Sequence, residues 1–454
     1  MGTLAAMLRE RGFSVSGSDA MAYPPMSTWL AERGLVIQSG YAAEHIPEQT
    51  DLVVVGNVAR RDNPEAVETL RRGLPYVSLP EALSWFFFEG RRVLLPTGTH
   101  GKTTTSAMTA WILHESGLDP SFFIGGVTVN FGSNFRLGEG DPFVVEGDEY
   151  DTAWFDKVPK FWHYPAVAAT INNVEFDHAD IYPDLASIEH VFRRLAAQIP
   201  ASGTLWVNGD DGVAMGCARS AIAQVRTFGL SRAHDLWGEP LDLDERGLRA
   251  RVGTADGDAF EVLVPMVGDY NLRNFLGAAA LASAAGVSLE RAVDAIASFR
   301  GVVKRQEIKG VVDDIIVIDD FAHHPTAVRN TLDAVRARYP TRRIWGVFEA
   351  KSNTSRRAVF QADYPPALAQ ADRVVLSQPW RQDALPDDER ISIPRMVEDI
   401  ESLGTPVVLI PEVQDIIDYL ADELAPGDVV VGLSGSSFGG LHTRLLEALK
   451  TRRQ

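Results

Sequence analysis

The chain has a single cysteine, Cys217, in 454 residues, so no disulfide can form within it. That fits a reducing compartment and excludes a small scaffold stapled by bridges. Long apolar runs are missing as well. The longest weakly polar stretch, Phe275 to Val287, is rich in Ala and Gly, and it falls short of the roughly 20 residues a bilayer-spanning helix needs. The opening Met1-Gly2-Thr3-Leu4 lacks a basic segment followed by an apolar core, so no secretory signal is read there. Positive charge is scarce: 43 Lys and Arg face 61 Asp and Glu, a formal net charge of -18. A field of that sign repels nucleic acid and anionic membranes, so an anionic ligand needs a locally cationic site. The expectation is a cytoplasmic protein with no nucleic-acid partner and no membrane insertion.

With 45% hydrophobic and 23% charged residues, the chain has the composition of a globular protein able to bury its cores. At roughly 150 residues per domain, the length suggests about three domains. Short β-branched runs alternate with longer amphipathic stretches throughout, the pattern of an α/β fold with mainly parallel sheets. Strands are predicted at Phe13–Ser16, Leu35–Gln38 and Asp51–Val55, with helices at Thr3–Arg11, Met26–Arg33 and Pro64–Arg72. These make a small Rossmann-like domain over residues 1–89. A nucleotide-binding βαβ unit begins with a strand and a Gly-rich turn, whereas this chain opens on a helix, so its first strand is expected to be lacking. A strand at Arg91–Pro96 and a helix at Lys102–Ser116 open a second domain, residues 90–300. Its further strands are Phe143–Val145, Val167–Ile171 and Leu205–Val207, with helices at Asn271–Ala285 and Leu289–Ser298. A third, Rossmann-like domain covers 301–454, with strands at Ile315–Ile318, Arg343–Phe348, Arg373–Leu376, Val407–Ile410 and Val429–Leu433.

The strongest local signal is Gly98-Thr99-His100-Gly101-Lys102-Thr103-Thr104-Thr105, between a predicted strand and a predicted helix. Backbone N–H groups in such a turn cradle phosphate oxygens at the positive end of the helix. There Lys102 would neutralise the β and γ phosphates, and Thr103 would offer its hydroxyl to magnesium. Pro96 stands where the usual pattern has a glycine. The apolar strand Phe143-Val144-Val145 then ends in Glu146-Gly147-Asp148-Glu149-Tyr150-Asp151. A charge run by itself marks a solvated face, but ligands in open α/β sheets gather at the carboxyl ends of strands, and hard oxygen donors suit Mg²⁺.

A third strand end carries Asn172-Asn173-Val174-Glu175-Phe176-Asp177-His178-Ala179-Asp180, in which His178 could serve a metal or a phosphate or simply the structure. Asn271 and Asn274, in Gly268-Asp269-Tyr270-Asn271-Leu272-Arg273-Asn274, share one helical face, and helix capping explains them equally well. Finally, Lys304-Arg305-Gln306-Glu307 is followed by Ile318-Asp319-Asp320-Phe321-Ala322-His323-His324-Pro325, with Pro325 placed to start a helix. Zinc is disfavoured there, because the further ligands are missing.

Taken in order, these six motifs resemble those of the ATP-dependent Mur ligases of bacterial peptidoglycan synthesis, and the resemblance spans essentially the whole chain. It implies an α/β fold of three domains: the first binding a UDP-sugar, the second a P-loop type domain binding ATP and Mg²⁺, the third binding the incoming amino donor. Within the family, Tyr23-Pro24-Pro25-Met26-Ser27, Val55-Gly56-Asn57-Val58, Glu149-Tyr150-Asp151-Thr152-Ala153-Trp154-Phe155-Asp156-Lys157 and Asp177-His178-Ala179-Asp180 are similar to the branch that joins L-alanyl-γ-D-glutamyl-meso-diaminopimelate to UDP-N-acetylmuramate. The L-alanine-adding branch is the alternative. Ligases that extend folate share the architecture, and a non-catalytic nucleotide-binding protein is a reading of another class.

Carried over residue by residue, the resemblance implies catalytic roles for Lys102, Glu146, His178 and His323. It implies nucleotide binding by Gly98, Thr99, His100, Gly101, Lys102, Thr103, Thr104, Asn271, Asn274, Arg305 and Asp319. Metal ligation falls to Thr103, Glu146 and His178, and substrate contact to Asp19, Asn57 and Lys351. The chain departs from the family in three places. Only Gly2 remains of the Gly-rich turn for the uridine diphosphate. No lysine lies between His178 and Pro200 to match the carbamylated lysine of some relatives. Lys351 stands where arginine is usual, and lysine cannot form the planar fork that grips a carboxylate.

Overall fold

A computed structural model describes residues 1–22, 26–244 and 246–452. Tyr23, Pro24 and Pro25, part of one family-like stretch, lie outside the described residues. The chain divides into two compact units. One comprises Met1–Val174, Glu189–Phe228 and Gly277–Ala295, the other Glu175–Ile188, Gly229–Leu276 and Ile296–Gln454.

In the first unit the chain opens on the helix Gly2–Glu10, which buries Leu4, Met7 and Leu8. Two parallel strand pairs follow, Gly17–Asp19 with Ile37–Ser39 and Val53–Val55 with Tyr76–Ser78. The strand expected at Phe13–Ser16 is therefore displaced. The chain leaves the helix through Gly12 at φ +91, Phe13 sets its ring edge-on to Phe86 at 5.1 Å, and pairing begins only at Gly17 opposite Ile37. The helix Pro64–Arg72 has its expected bounds because its ends are chemically marked. Asn63 accepts a hydrogen bond from the Glu65 N–H, Pro64 starts the helix and Gly73 ends it in the left-handed conformation.

The main sheet of this unit runs in the order Gln224–Gly229, Thr204–Asn208, Ala168–Ile171, Arg92–Thr97, Pro142–Val145, Ser121–Thr128, Ser133–Arg136. All neighbours are parallel except the last pair. Strands covered on both faces read as unbroken apolar runs. Accordingly Val93 to Thr97 and Pro142 to Val145 are buried throughout, as is most of the helix Lys102–Glu115. Because Arg92–Thr97 lies between Pro142–Val145 and Ala168–Ile171, the segments leaving all three strands emerge at one end of the sheet.

The second unit holds a six-stranded sheet in the order Glu307–Val312, Ile315–Asp320, Val429–Ser434, Ile344–Glu349, Arg373–Leu376, Val407–Leu409, parallel except for its first pair. Ile316 and Ile318 join one apolar cluster, Ile315 and Val317 another, so the period of two drives a core on each face. An antiparallel meander, Leu236–Asp244, Gly247–Thr254 and Ala259–Val264, belongs to the same unit. Among the described residues no helix is long and apolar enough to cross a membrane.

Candidate active site

The first cluster forms around the turn between Arg92–Thr97 and Lys102–Glu115. Gly98 and Gly101 take φ +130 and +83, values a side chain strains to adopt. A Cβ on Gly98 would meet Asn172 and Asn173 at 3.0 Å. The turn is gripped by the next strand end. Thr99 N–H donates to the Asn173 carbonyl at 3.0 Å, His100 N–H donates to Asn173 Oδ1 at 2.7 Å, and Asn173 Nδ2 returns a bond to the His100 carbonyl at 3.1 Å. Thr104 is buried in the first turn of the helix.

Within this turn Lys102 Nζ donates to the carbonyls of Gly98 at 2.8 Å and Thr99 at 3.1 Å, and to Glu149 Oε1 at 2.9 Å. Burial opposes its charge, but Glu149, Asp148 and Glu146 outweigh burial and hold its pKa above the usual lysine value. Thr103 donates its hydroxyl to Glu146 Oε1 at 3.0 Å, while Gly125 N–H donates to Glu146 Oε2 at 2.7 Å. Burial pushes Glu146 above the ordinary glutamate range, more than the Gly125 bond and Lys102 pull it down. Asp148 moves the other way: burial raises it, yet Lys160 and Lys102 bring it to about 2.

The donor set fits a small hard cation. Octahedral Mg²⁺ with bonds of about 2.05 Å puts neighbouring ligand atoms about 2.9 Å apart, and the Thr103 and Glu146 oxygens are 3.0 Å apart. The buried, acidic Glu146 is the kind of carboxylate that a cation keeps ionised.

The remaining predicted nucleotide and catalytic residues belong to the second unit. Asn271 donates to the Val267 carbonyl at 2.8 Å, and Asn274 Nδ2 donates to Asn271 Oδ1 at 3.1 Å, so they do share one helical face. Gln306 also donates to the Val267 carbonyl, at 3.2 Å, and to the Tyr270 hydroxyl, which draws Asn271 and the Arg305-Gln306 turn together. The Arg305 guanidinium lies 4.8 Å from the Phe321 ring centre. The same ring meets His323 edge-on at 5.3 Å, its Nδ1 2.9 Å from the Phe321 carbonyl. Asp319 is buried, and burial pushes its carboxyl up to about 6 against the pull of Lys304.

His178 adopts φ +55. Its segment is tied down within the unit on both sides: Thr326 donates to Glu175 at 2.7 Å, His324 Nε2 lies 3.0 Å from the Phe176 carbonyl, Ala179 N–H donates to Thr354 at 3.3 Å, and Asn353 donates to Asp180 at 2.8 Å. Lys351 Nζ sits 3.6 Å from Glu349 Oε1. Of the two remaining substrate candidates, Asp19 ends the strand Gly17–Asp19, and Asn57 is half-buried in the turn after Val53–Val55. The residues picked from sequence omitted Asn173 and Glu149, although both stand in the motifs. Asn173 directly follows a strand end, and Glu149 is an acidic neighbour of Glu146; only the pairing of strands shows what each one grips.

A glycine-lined turn between strand and helix, with its lysine and threonine set against carboxylates of the adjacent strand end, defines a P-loop type α/β protein. Three family models match in sequence order: the Mur ligase family catalytic domain over residues 1–89, the Mur ligase middle domain over 97–282, and the Mur ligase glutamate ligase domain over 304–436. The chain belongs to the Mur ligase family, whose members use ATP, and has its three-domain α/β fold. It is 38% identical over 467 residues to the UDP-N-acetylmuramate–L-alanyl-γ-D-glutamyl-meso-2,6-diaminoheptandioate ligase of Escherichia coli K12, covering 99% of this chain and 96% of that protein. It is 33% identical to the UDP-N-acetylmuramate–L-alanine ligase of Salinibacter ruber, covering 99% of this chain and 93% of that protein. Among solved structures, the murein peptide ligase of Psychrobacter arcticus superposes with a TM-score of 0.74 at 34% identity, covering 99% of this chain and 96% of that one.

Proposed function

We propose that this protein joins L-alanyl-γ-D-glutamyl-meso-diaminopimelate to UDP-N-acetylmuramate through an acyl phosphate, releasing ADP and phosphate, in the recycling of cell-wall peptide. In this reading residues 1–89 bind the UDP-sugar, 90–300 bind ATP with Mg²⁺, and 301–454 receive the peptide. The observation that carries it is the contact of Thr103 and Lys102 with Glu146 and Glu149, at 3.0 and 2.9 Å, because it sets a phosphate-binding turn against a cation-binding strand end. The higher identity to the tripeptide ligase, 38% against 33% for the L-alanine ligase, favours the tripeptide as amino donor.

A carboxylate is a poor acyl donor, and transferring the γ-phosphoryl group to it creates a good leaving group. In that step the sugar carboxylate oxygen attacks phosphorus and ADP departs. Lys102 and the N–H groups of the turn offset the charge that builds on the phosphoryl oxygens. Thr103 and Glu146 would hold the metal, which supplies further charge neutralisation when bound, with His178 as the remaining candidate ligand. The neutral alanyl amine then attacks the acyl carbon, a C–N bond forms, and phosphate leaves. His178 and His323 are the candidates for taking the amine proton. Asn271, Asn274, Arg305 and Asp319 would hold the nucleoside end of ATP, with Asp19 and Asn57 on the UDP-sugar.

The test is an ADP-release assay with UDP-N-acetylmuramate and either the tripeptide or L-alanine. Tripeptide-dependent release is expected, with amide product, and Lys102→Ala is expected to abolish it without unfolding the protein. Release of AMP, or turnover with L-alanine alone, would overturn the reading.

A further inference from the structure

The hairpin that follows the acidic strand end brings a second lysine back to it. Asp151–Ala153 and Asp156–Pro159 pair antiparallel, and at their base Lys160 N–H donates to the Tyr150 carbonyl at 3.1 Å. Lys160 Nζ thereby donates to Asp148 Oδ2 at 2.5 Å and lies 5.7 Å from the centre of the Tyr150 ring. Asp148 Oδ1 accepts the Tyr150 N–H at 3.1 Å, which fixes the carboxylate that receives the ammonium. The two lysine pairs of this strand end differ in access. The Glu149 side chain, paired with Lys102, is 2% exposed, whereas the Asp148 side chain, paired with Lys160, is 37% exposed. A ligand can therefore reach the second pair and not the first.

This pair is close to both groups of ligand residues assigned to the first unit. Asp148 acts on the charges of Lys102 and Glu146, at the phosphate-binding turn. The amine of Met1, which burial lowers in pKa, is lowered further by Lys160 and raised by Asp19, the candidate on the UDP-sugar. Met1 also packs on Gly56, beside Asn57, where an added Cβ would meet its Cγ at 3.0 Å. The chemistry of the first step calls for a cation at such a place. A carboxylate oxygen must come into bonding contact with a phosphoryl group that is itself anionic. Lys102 and the N–H groups of the turn serve the phosphates, so the approaching carboxylate needs a positive charge of its own.

We propose that Lys160 receives the carboxylate of the UDP-sugar, with Asp148 as the partner it holds until that carboxylate arrives, and so positions the oxygen that attacks phosphorus. This deepens the reading given above and rests on it. An ammonium is a point charge with three donors, so it can turn to a new carboxylate without moving its backbone. Lys160 forms no covalent bond; it selects a UDP-sugar that bears a carboxylate over one that lacks it.

The experiment is calorimetric titration of wild type and Lys160→Met, each with Mg²⁺ and a non-hydrolysable ATP analogue, using UDP-N-acetylmuramate and UDP-N-acetylglucosamine, which lacks the lactyl carboxylate. The variant is expected to bind UDP-N-acetylmuramate about tenfold more weakly, the loss of one charge-assisted contact, and UDP-N-acetylglucosamine as wild type does. Crossing a protein cation with a ligand anion in this way isolates their interaction. Lys160→Arg keeps the charge and is expected to recover part of the loss. Unchanged affinity for UDP-N-acetylmuramate, or an equal loss for both nucleotides, overturns the assignment while leaving the ligase reading intact. If Lys160→Met does not fold, Asp148→Asn decides: it keeps an acceptor for the ammonium but removes the competing charge. It is expected to tighten UDP-N-acetylmuramate about threefold and leave UDP-N-acetylglucosamine unchanged, and no such gain overturns the assignment. A wild-type protein that binds neither nucleotide overturns both readings.

Discussion

Glu146 is a residue whose usefulness and cost have the same origin. Burial raises its pKa above the ordinary glutamate range, so the folded protein binds this proton more tightly than the unfolded chain. Stability therefore falls as pH rises from the unfolded pKa through the folded one, and at neutral pH the ionised carboxylate is a net burden. Glu146→Gln is expected to raise Tm by about 2 °C in chelator at pH 7 and to lower turnover about a hundredfold or more. Calorimetry and ADP release check both; a lower Tm in the variant would contradict the argument. Added Mg²⁺ is expected to raise Tm in wild type only, and to do so less as pH falls, because a proton and a cation compete for the same oxygen.

At the scale of elements, the turn 98–101 depends on its glycines and on the strand end beside it. Gly98→Ala places a methyl 3.0 Å from Asn172 and Asn173 at φ +130, so it is expected to raise KM for ATP about tenfold, a shift of roughly 1–2 kcal/mol, with the global fold retained. Circular dichroism and ATP-dependent kinetics check this. That turn was legible in the sequence because everything that makes it is local: an apolar run, Gly98, Gly101, Lys102 and a helix. The ends of Pro64–Arg72 were legible for the same reason. What the chain does not declare locally went unread. The helix Leu79–Phe87, despite its Ser78 and Glu81 capping box, and the meander from Leu236 to Val264 were not anticipated, since strands with one polar face dissolve into surface composition. The grip of Asn173 on His100 and of Glu149 on Lys102 spans 73 and 47 residues, and only the strand order makes those residues neighbours.

At the scale of the whole molecule, the two apolar clusters of the six-stranded sheet lie between Val312 and Leu449, and all its strands between Glu307 and Ser434. Residues 301–454 expressed alone are thus expected to fold cooperatively, seen as a single thermal transition and a dispersed NMR spectrum. A fragment 1–174 is not, because it leaves Ala168–Ile171 without its partner Thr204–Asn208. The overall charge of -18 bears on ligands in a further way. The lysine of the phosphate-loop turn, Lys102, is already occupied by Glu149 and by the carbonyls of its own turn. A loop that carries its own counter-ion makes an incoming anion compete with that carboxylate for the lysine, so the charge a ligand brings is expected to govern how readily it displaces Glu149.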